Sequence, residues 1–155
     1  MNFNFLSPVS DSVLAHNELL SAQALGRKLK IHSAQHGIPD LEGVNVAILG
    51  VLENRNDVHY IGDEFQLNEI RKSFYGLFPG SWNTTIADLG DINRGESVED
   101  TYFALKEAIT ILVKKNIIPL ILGGSQDLTY ANYRAYDALI PMVNIVNVDA
   151  QFNLG

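Results

Sequence analysis

The sequence predicts an α/β fold, a mainly parallel sheet of about four strands with helices on both faces. Short apolar runs rich in β-branched residues, at 44–49, 84–87, 117–122 and 143–148, have the length and composition of buried strands. The segments between them repeat apolar residues at helical spacing instead. Each run closes in glycine or a cluster of polar side chains, as strands do where the loops of an open parallel sheet converge.

Residues 1–10 read as an irregular arm in which Pro8 restricts Ser7. A helix is expected over 11–31, where Val13, Leu14, Leu20, Ala24 and Leu25 recur and Ser10 or Asp11 caps the first turn. Arg27, Lys28 and Lys30 suit its negative end. His32 and His36 have the spacing of a metal pair on a helix. No acidic residue sits between them and Gly37 with Pro39 ends the helix, so they read as surface or cap residues.

The first strand, 44–49, closes at Gly50, and the loop Glu53-Asn54-Arg55-Asn56-Asp57-Val58-His59, which leaves a strand's carboxyl end with both charge signs and so could contact a ligand, reads better as solvated. A helix over 64–77 carries Phe65, Leu67, Ile70, Phe74 and Leu77, and Phe78-Pro79-Gly80 stops it. The strand at 84–87 ends in Asp88-Leu89-Gly90-Asp91, which can bind a cation or hold a turn through backbone amides. Ser97-Val98-Glu99-Asp100 has the form of a capping box, and its helix runs to about 115 with Tyr102, Leu105, Ile109, Leu112 and Val113 on one stripe. After 117–122 comes the turn Gly123-Gly124, then Asp127 as cap of a helix carrying Leu128, Ala131, Ala135 and Leu139. The strand at 143–148 ends at Asp149, and no helix follows to cover it.

Composition narrows the function classes. A chain of 155 residues, 46% hydrophobic, can bury a core as a single domain over 1–155, or be the N-terminal part of a larger one. It has no cysteine, so a metal would need oxygen or nitrogen ligands. A net charge of −7 argues against a nucleic-acid partner, and the pairs Arg27-Lys28, Arg71-Lys72 and Lys114-Lys115 read as solvated helix faces. No apolar run approaches the roughly 20 residues that span a bilayer, and the start lacks a secretory pattern, so a cytoplasmic protein without a membrane partner is expected. The uncovered sheet edge predicts self-association, as a homo-oligomer or with a missing C-terminal half.

Four blocks resemble the ureohydrolase family of arginase, agmatinase and formimidoylglutamase. They are Val46-Ala47-Ile48-Leu49-Gly50-Val51, Ala87-Asp88-Leu89-Gly90-Asp91, Pro119-Leu120-Ile121-Leu122-Gly123-Gly124 and Val148-Asp149-Ala150-Gln151-Phe152-Asn153. Order and spacing match, so the resemblance covers about 44–155 and implies the N-terminal half of a three-layer α/β/α enzyme of the arginase type. It implies two manganese ions at the strand ends and a small guanidino or formimino ligand, split to urea or formamide by a bridging hydroxide. The family's Asp-His-Ser falls on Ser125, Gln126 and Asp127, and its Asp-Ala-His-x-Asp falls on Asp149, Ala150, Gln151, Phe152 and Asn153. Asp149 alone keeps a ligand type, while Gln126, Gln151 and Asn153 offer neutral amides that cannot offset two adjacent dications.

Two readings follow. One is a catalytically silent relative, with no cofactor, in which amides of similar size have turned a metal site into a hydrogen-bonded network. The alternative is a metal-dependent hydrolase of a linear amidine C–N bond that keeps manganese through Asp149 and recruits Asp127 beside Gln126. A nucleotide-binding domain fits poorly, because Gly123-Gly124 lacks the spacing of a phosphate-cradling loop.

Overall fold

The structure, a computed structural model, describes residues 3–57, 66–137, 139, 142–146 and 148. Strands β1 (Leu6–Ser7), β2 (Lys30–Ile31), β3 (Val46–Val51), β4 (Ile86–Ile92) and β5 (Ile118–Leu122) form one sheet. Helices α1 (Asp11–Leu19), α2 (Asn68–Tyr75), α3 (Val98–Lys114) and α4 (Leu128–Asp137) and a 3-10 turn at Leu25–Lys28 complete the described elements. β3 lies between β4 and β5, parallel to both, while β2 (parallel) and β1 (antiparallel) share the far side of β4.

Strand alternation sorts the layers. Ala47, Leu49, Val51, Ala87 and Leu89 are buried with Leu105, Ala108, Ile109 and Leu112 of α3 and Leu128, Ala131 and Ala135 of α4. Those α3 positions recur at helical spacing and form the predicted stripe. The capping box is present, with the Ser97 hydroxyl accepting from the Asp100 amide and the Asp100 carboxylate accepting from the Ser97 amide.

The opposite face of β3 and β4 meets α2 through a polar cluster. Arg71, read from sequence as solvated, is 1% exposed. Its Nε and Nη2 donate to the two oxygens of Asp88 at 2.9 and 3.2 Å, its Nη1 to Asp91 Oδ1 at 2.7 Å, and Nη2 also to the Gly90 carbonyl at 3.1 Å. The Tyr75 hydroxyl donates to Asp88 at 2.8 Å. Burial opposes the guanidinium charge, but the two carboxylates overcome it and push the Arg71 pKa up. Burial also raises the Asp91 carboxyl, with Arg71 acting against it.

Asp88 and Asp91 therefore lie inside β4, not in a turn after a strand, and their partner is the side chain of Arg71. In a regular strand, residues three apart point to opposite faces. Here the β3–β4 register shifts between Ile48 and Gly50, and Gly90 has φ +83°, so a bulge turns both carboxylates to the same side. Gly50 leaves them room, since a Cβ there would lie 1.8 Å from Asp91 Oδ1.

Three further expectations change. The helix expected over 11–31 stops at Leu19, the chain is extended at Leu20, and the open side of β4 takes Lys30–Ile31 as a strand. His32 and His36 are accordingly not on a helix. His32 is buried with Nδ1 2.9 Å from the Leu89 carbonyl oxygen, and His36 Nδ1 lies 3.2 Å from Ser33 Oγ. The fourth predicted strand does not form among the described residues 142–146 and 148, where Ile145, Val146 and Val148 are exposed. β-branched composition favours a strand only where a neighbour takes its backbone groups.

No described strand pairs with the far side of β5. The Ile118 amide donates to Asn45 O at 2.9 Å, so residues 118, 120 and 122 bond to β3 and residues 119 and 121 present their backbone groups outward. The outward residue Pro119 has no N–H. Ile118 and Leu120 leave 65% and 40% of their surface exposed on one face of the strand.

Candidate functional site

The carboxyl ends of β3 and β5 meet the start of α3 in a buried polar network. Glu53, two residues beyond β3, is fully buried. It accepts from the Arg55 backbone N (3.0 Å), Nε (2.9 Å) and Nη2 (2.5 Å), and from the Thr101 hydroxyl (2.9 Å). Burial alone would raise its carboxyl, but these donors and the Arg55 charge hold it at about 2. Arg55 also reaches the carbonyls of Glu96 and Gly95 at 3.0 and 3.1 Å, tying this loop to the one before α3. Arg94 bonds the Leu52 carbonyl at 3.0 Å and the side chain of Asn54. The loop read as solvated is thus built into the protein at Glu53 and Asn54, because each finds a partner distant in sequence.

Of the predicted site residues, Ser125, Gln126 and Asp127 lie in this rim, between β5 and α4. The Ser125 amide donates to Glu53 O at 2.9 Å. The Asp127 carboxylate accepts from the Tyr102 hydroxyl and, at 3.0 Å, from Asn56 Nδ2. Burial works against its charge, but the neighbouring hydroxyl and amide donors, Tyr102 and Asn56 among them, hold the carboxyl below its ordinary range. The Tyr102 phenol is pushed up to about 12 by burial and by Asp127. Gln126 lines a cavity of about 290 Å³ with Ser125, Thr129 and Asn132, whose polar groups are all neutral. Asp149, Gln151 and Asn153 lie outside the described residues.

The network rests on Glu53, Arg55, Thr101 and Tyr102; the sequence placed Glu53 and Arg55 in a solvated loop and Tyr102 on an apolar stripe, and did not bring the four together. The available signal was weak: opposite charges two apart just after a strand, and two hydroxyls just inside a capped helix. Among the described residues, no group of three or more His, Asp or Glu could hold a metal ion. Among the described residues of this rim, the donors are a carboxamide, a hydroxyl and one carboxylate, whose Oδ2 is bonded to Tyr102 and Asn56, too few anionic ligands by themselves for a dinuclear manganese centre. No described helix is long and apolar enough to cross a membrane.

A profile of the arginase family matches residues 44–154. A formimidoylglutamase of Macrococcus caseolyticus is 30% identical over 119 residues, covering 73% of this chain and 38% of that protein. The human mitochondrial guanidino acid hydrolase is 29% identical over 120 residues, 70% of this chain and 34% of that protein. Two solved structures share the fold. Agmatine ureohydrolase of Thermoplasma volcanium has a TM-score of 0.58 and 19% identity, covering 80% of this chain and 41% of its own. Trypanosoma cruzi formiminoglutamase, solved with manganese, has a TM-score of 0.56 and 18% identity, covering 66% of this chain and 38% of its own. The chain spans about two fifths of the length of these proteins or less. The described sheet, its flanking helices and the match from the first long strand onward agree: this chain belongs to the arginase family, with part of the family's α/β fold.

Proposed function

We propose that this chain is a catalytically silent ureohydrolase-like module whose ancestral metal site is now a hydrogen-bonded scaffold. The observation that carries the reading is the commitment of Asp127. Its carboxylate is the one anionic group in the 125–127 segment, and it bonds the Tyr102 hydroxyl and Asn56. Both bonds fall on Oδ2, while Oδ1 is buried with no hydrogen-bond partner among the described residues, so a metal beside Gln126 would have to reach an oxygen closed off from solvent. Gln126 itself offers an amide oxygen, a poor counter-charge for two dications.

The test is manganese binding and hydrolysis on the purified 155-residue chain. The expected outcome is no stoichiometric manganese by calorimetry at millimolar metal, and no release of urea or formamide from guanidino or formimino compounds. Tight manganese whose removal abolishes such hydrolysis would replace this reading with that of an amidine hydrolase, the activity named for the formimidoylglutamase and guanidino acid hydrolase relatives.

The same reading gives the module a partner surface on the side of β5 that no described strand covers. Side chains of Ile118 and Leu120 would carry self-association, since Pro119 withholds an edge donor. A dimer in sedimentation velocity is the expected result, lost in the Ile118→Lys, Leu120→Lys double variant. A strictly monomeric profile at the highest soluble concentration would refute it.

A further inference from the structure

The turn between α2 and β4 carries large apolar side chains that point away from the core. Leu77, Phe78 and Trp82 are 54%, 68% and 76% exposed. Both ends of the turn are anchored: the Leu25 amide donates to the Leu77 carbonyl at 2.7 Å, and the Thr85 amide to Asn45 Oδ1 at 2.9 Å. Between them Trp82 folds back over Gly80, where a Cβ would come within 2.9 Å of the indole Nε1. The three side chains therefore share one short tip on a fixed base.

The tip is also uncharged. Charged residues make up 19% of the chain, yet 73–87 contains none and is the longest such stretch. That decides what the tip fits. A stable protein interface buries roughly 800 Å² a side and has a polar rim. A single short turn with no charge to offer supplies neither, and a second copy would bring the same shortage. A lipid surface asks for less. Exposed aromatic and aliphatic side chains enter the layer between headgroups and acyl chains, where Trp is favoured because its ring is apolar while its N–H stays wet. Ser81 and Asn83, both exposed, would remain among the headgroups. A net charge of −7 is repelled by an anionic leaflet, so a zwitterionic surface is the better match.

We propose that the 77–82 tip docks this chain peripherally on a zwitterionic lipid surface, with Leu77, Phe78 and Trp82 inserted. The expectation of no membrane partner rested on spanning and secretory segments, neither of which peripheral docking needs. The tip precedes β4, at the end of the sheet opposite the strand carboxyl ends, and the inference is independent of the silent reading of those ends.

Trp82 is the sole tryptophan, so its fluorescence reports on the tip alone. Titrating the chain with phosphatidylcholine vesicles should move its emission saturably to the blue, and bromine-labelled acyl chains should quench it. Phe78→Ser, at a position outside the core, should weaken partitioning roughly tenfold with an unchanged urea midpoint. Emission unmoved at millimolar lipid, a blue shift that follows protein concentration without lipid, partitioning only into phosphatidylglycerol vesicles, or a Phe78→Ser variant that partitions as well as the parent would each overturn the proposal.

Discussion

Arg71→Ala is expected to lower the free energy of unfolding by about 3–5 kcal/mol, the cost of leaving a buried charge without its partner. Asp88 is fully buried and Asp91 partly so, and Arg71 is the cation both of them bond. The loss should appear in urea denaturation as a lower midpoint at unchanged slope. Adding Asp88→Asn to the variant should recover part of it, because the stranded charge is then removed, even though Tyr75 and the Gly90 amide lose a charged acceptor. Arg71→Lys should fall between, since one ammonium cannot bond both oxygens of Asp88 and also reach Asp91. A loss below about 1 kcal/mol in Arg71→Ala would mean the cluster is not what holds α2 on the sheet.

Acid should weaken the other face through Glu53. Its folded pKa of about 2 lies below the ordinary 4.5, so its contribution is complete above about pH 4.5 and disappears as the pH falls towards 2. A shift of that size is worth roughly 3 kcal/mol. Glu53→Gln keeps the shape and an acceptor for Thr101 but gives up the charged bonds from Arg55. Other carboxylates also titrate in this range, so the informative quantity is the difference between the two proteins. The variant should be less stable at pH 7 and the gap should close as the pH approaches 2. A gap that stays constant from pH 7 to pH 2 would show that the carboxylate charge contributes nothing.

The sequence made the apolar framework readable because apolar residues announce their element by period. Leu105, Ile109 and Leu112 gave α3, the runs at 44–49 and 117–122 gave β3 and β5, and Ser97 with Asp100 gave the helix start. The buried polar residues could not be read in the same way. Arg71 looked like a surface cation and Glu53 like a loop acid, because what buries them lies elsewhere: Asp88 is 17 residues from Arg71 and Thr101 is 48 from Glu53. The candidate site divided along the same line. That Gln126 is an amide can be read from its position, but the bond between Asp127 and Tyr102, 25 residues away, depends on how α3 packs beside the end of β5. The run at 143–148 shows the converse error, in which composition promised a strand and no described neighbour paired with it.

Pro119 limits what association along β5 could become. A bare strand edge is a template that can be copied indefinitely, each added strand offering the next the same row of donors and acceptors. Here the outward row lacks the donor at Pro119, and a second copy of β5 would bring the same defect. Contacts made by Ile118 and Leu120 can be satisfied once, by two faces meeting, after which no equivalent surface is left to continue. In the self-association proposed above, the proline would separate finite pairing from polymer growth, favouring closed assemblies over fibres.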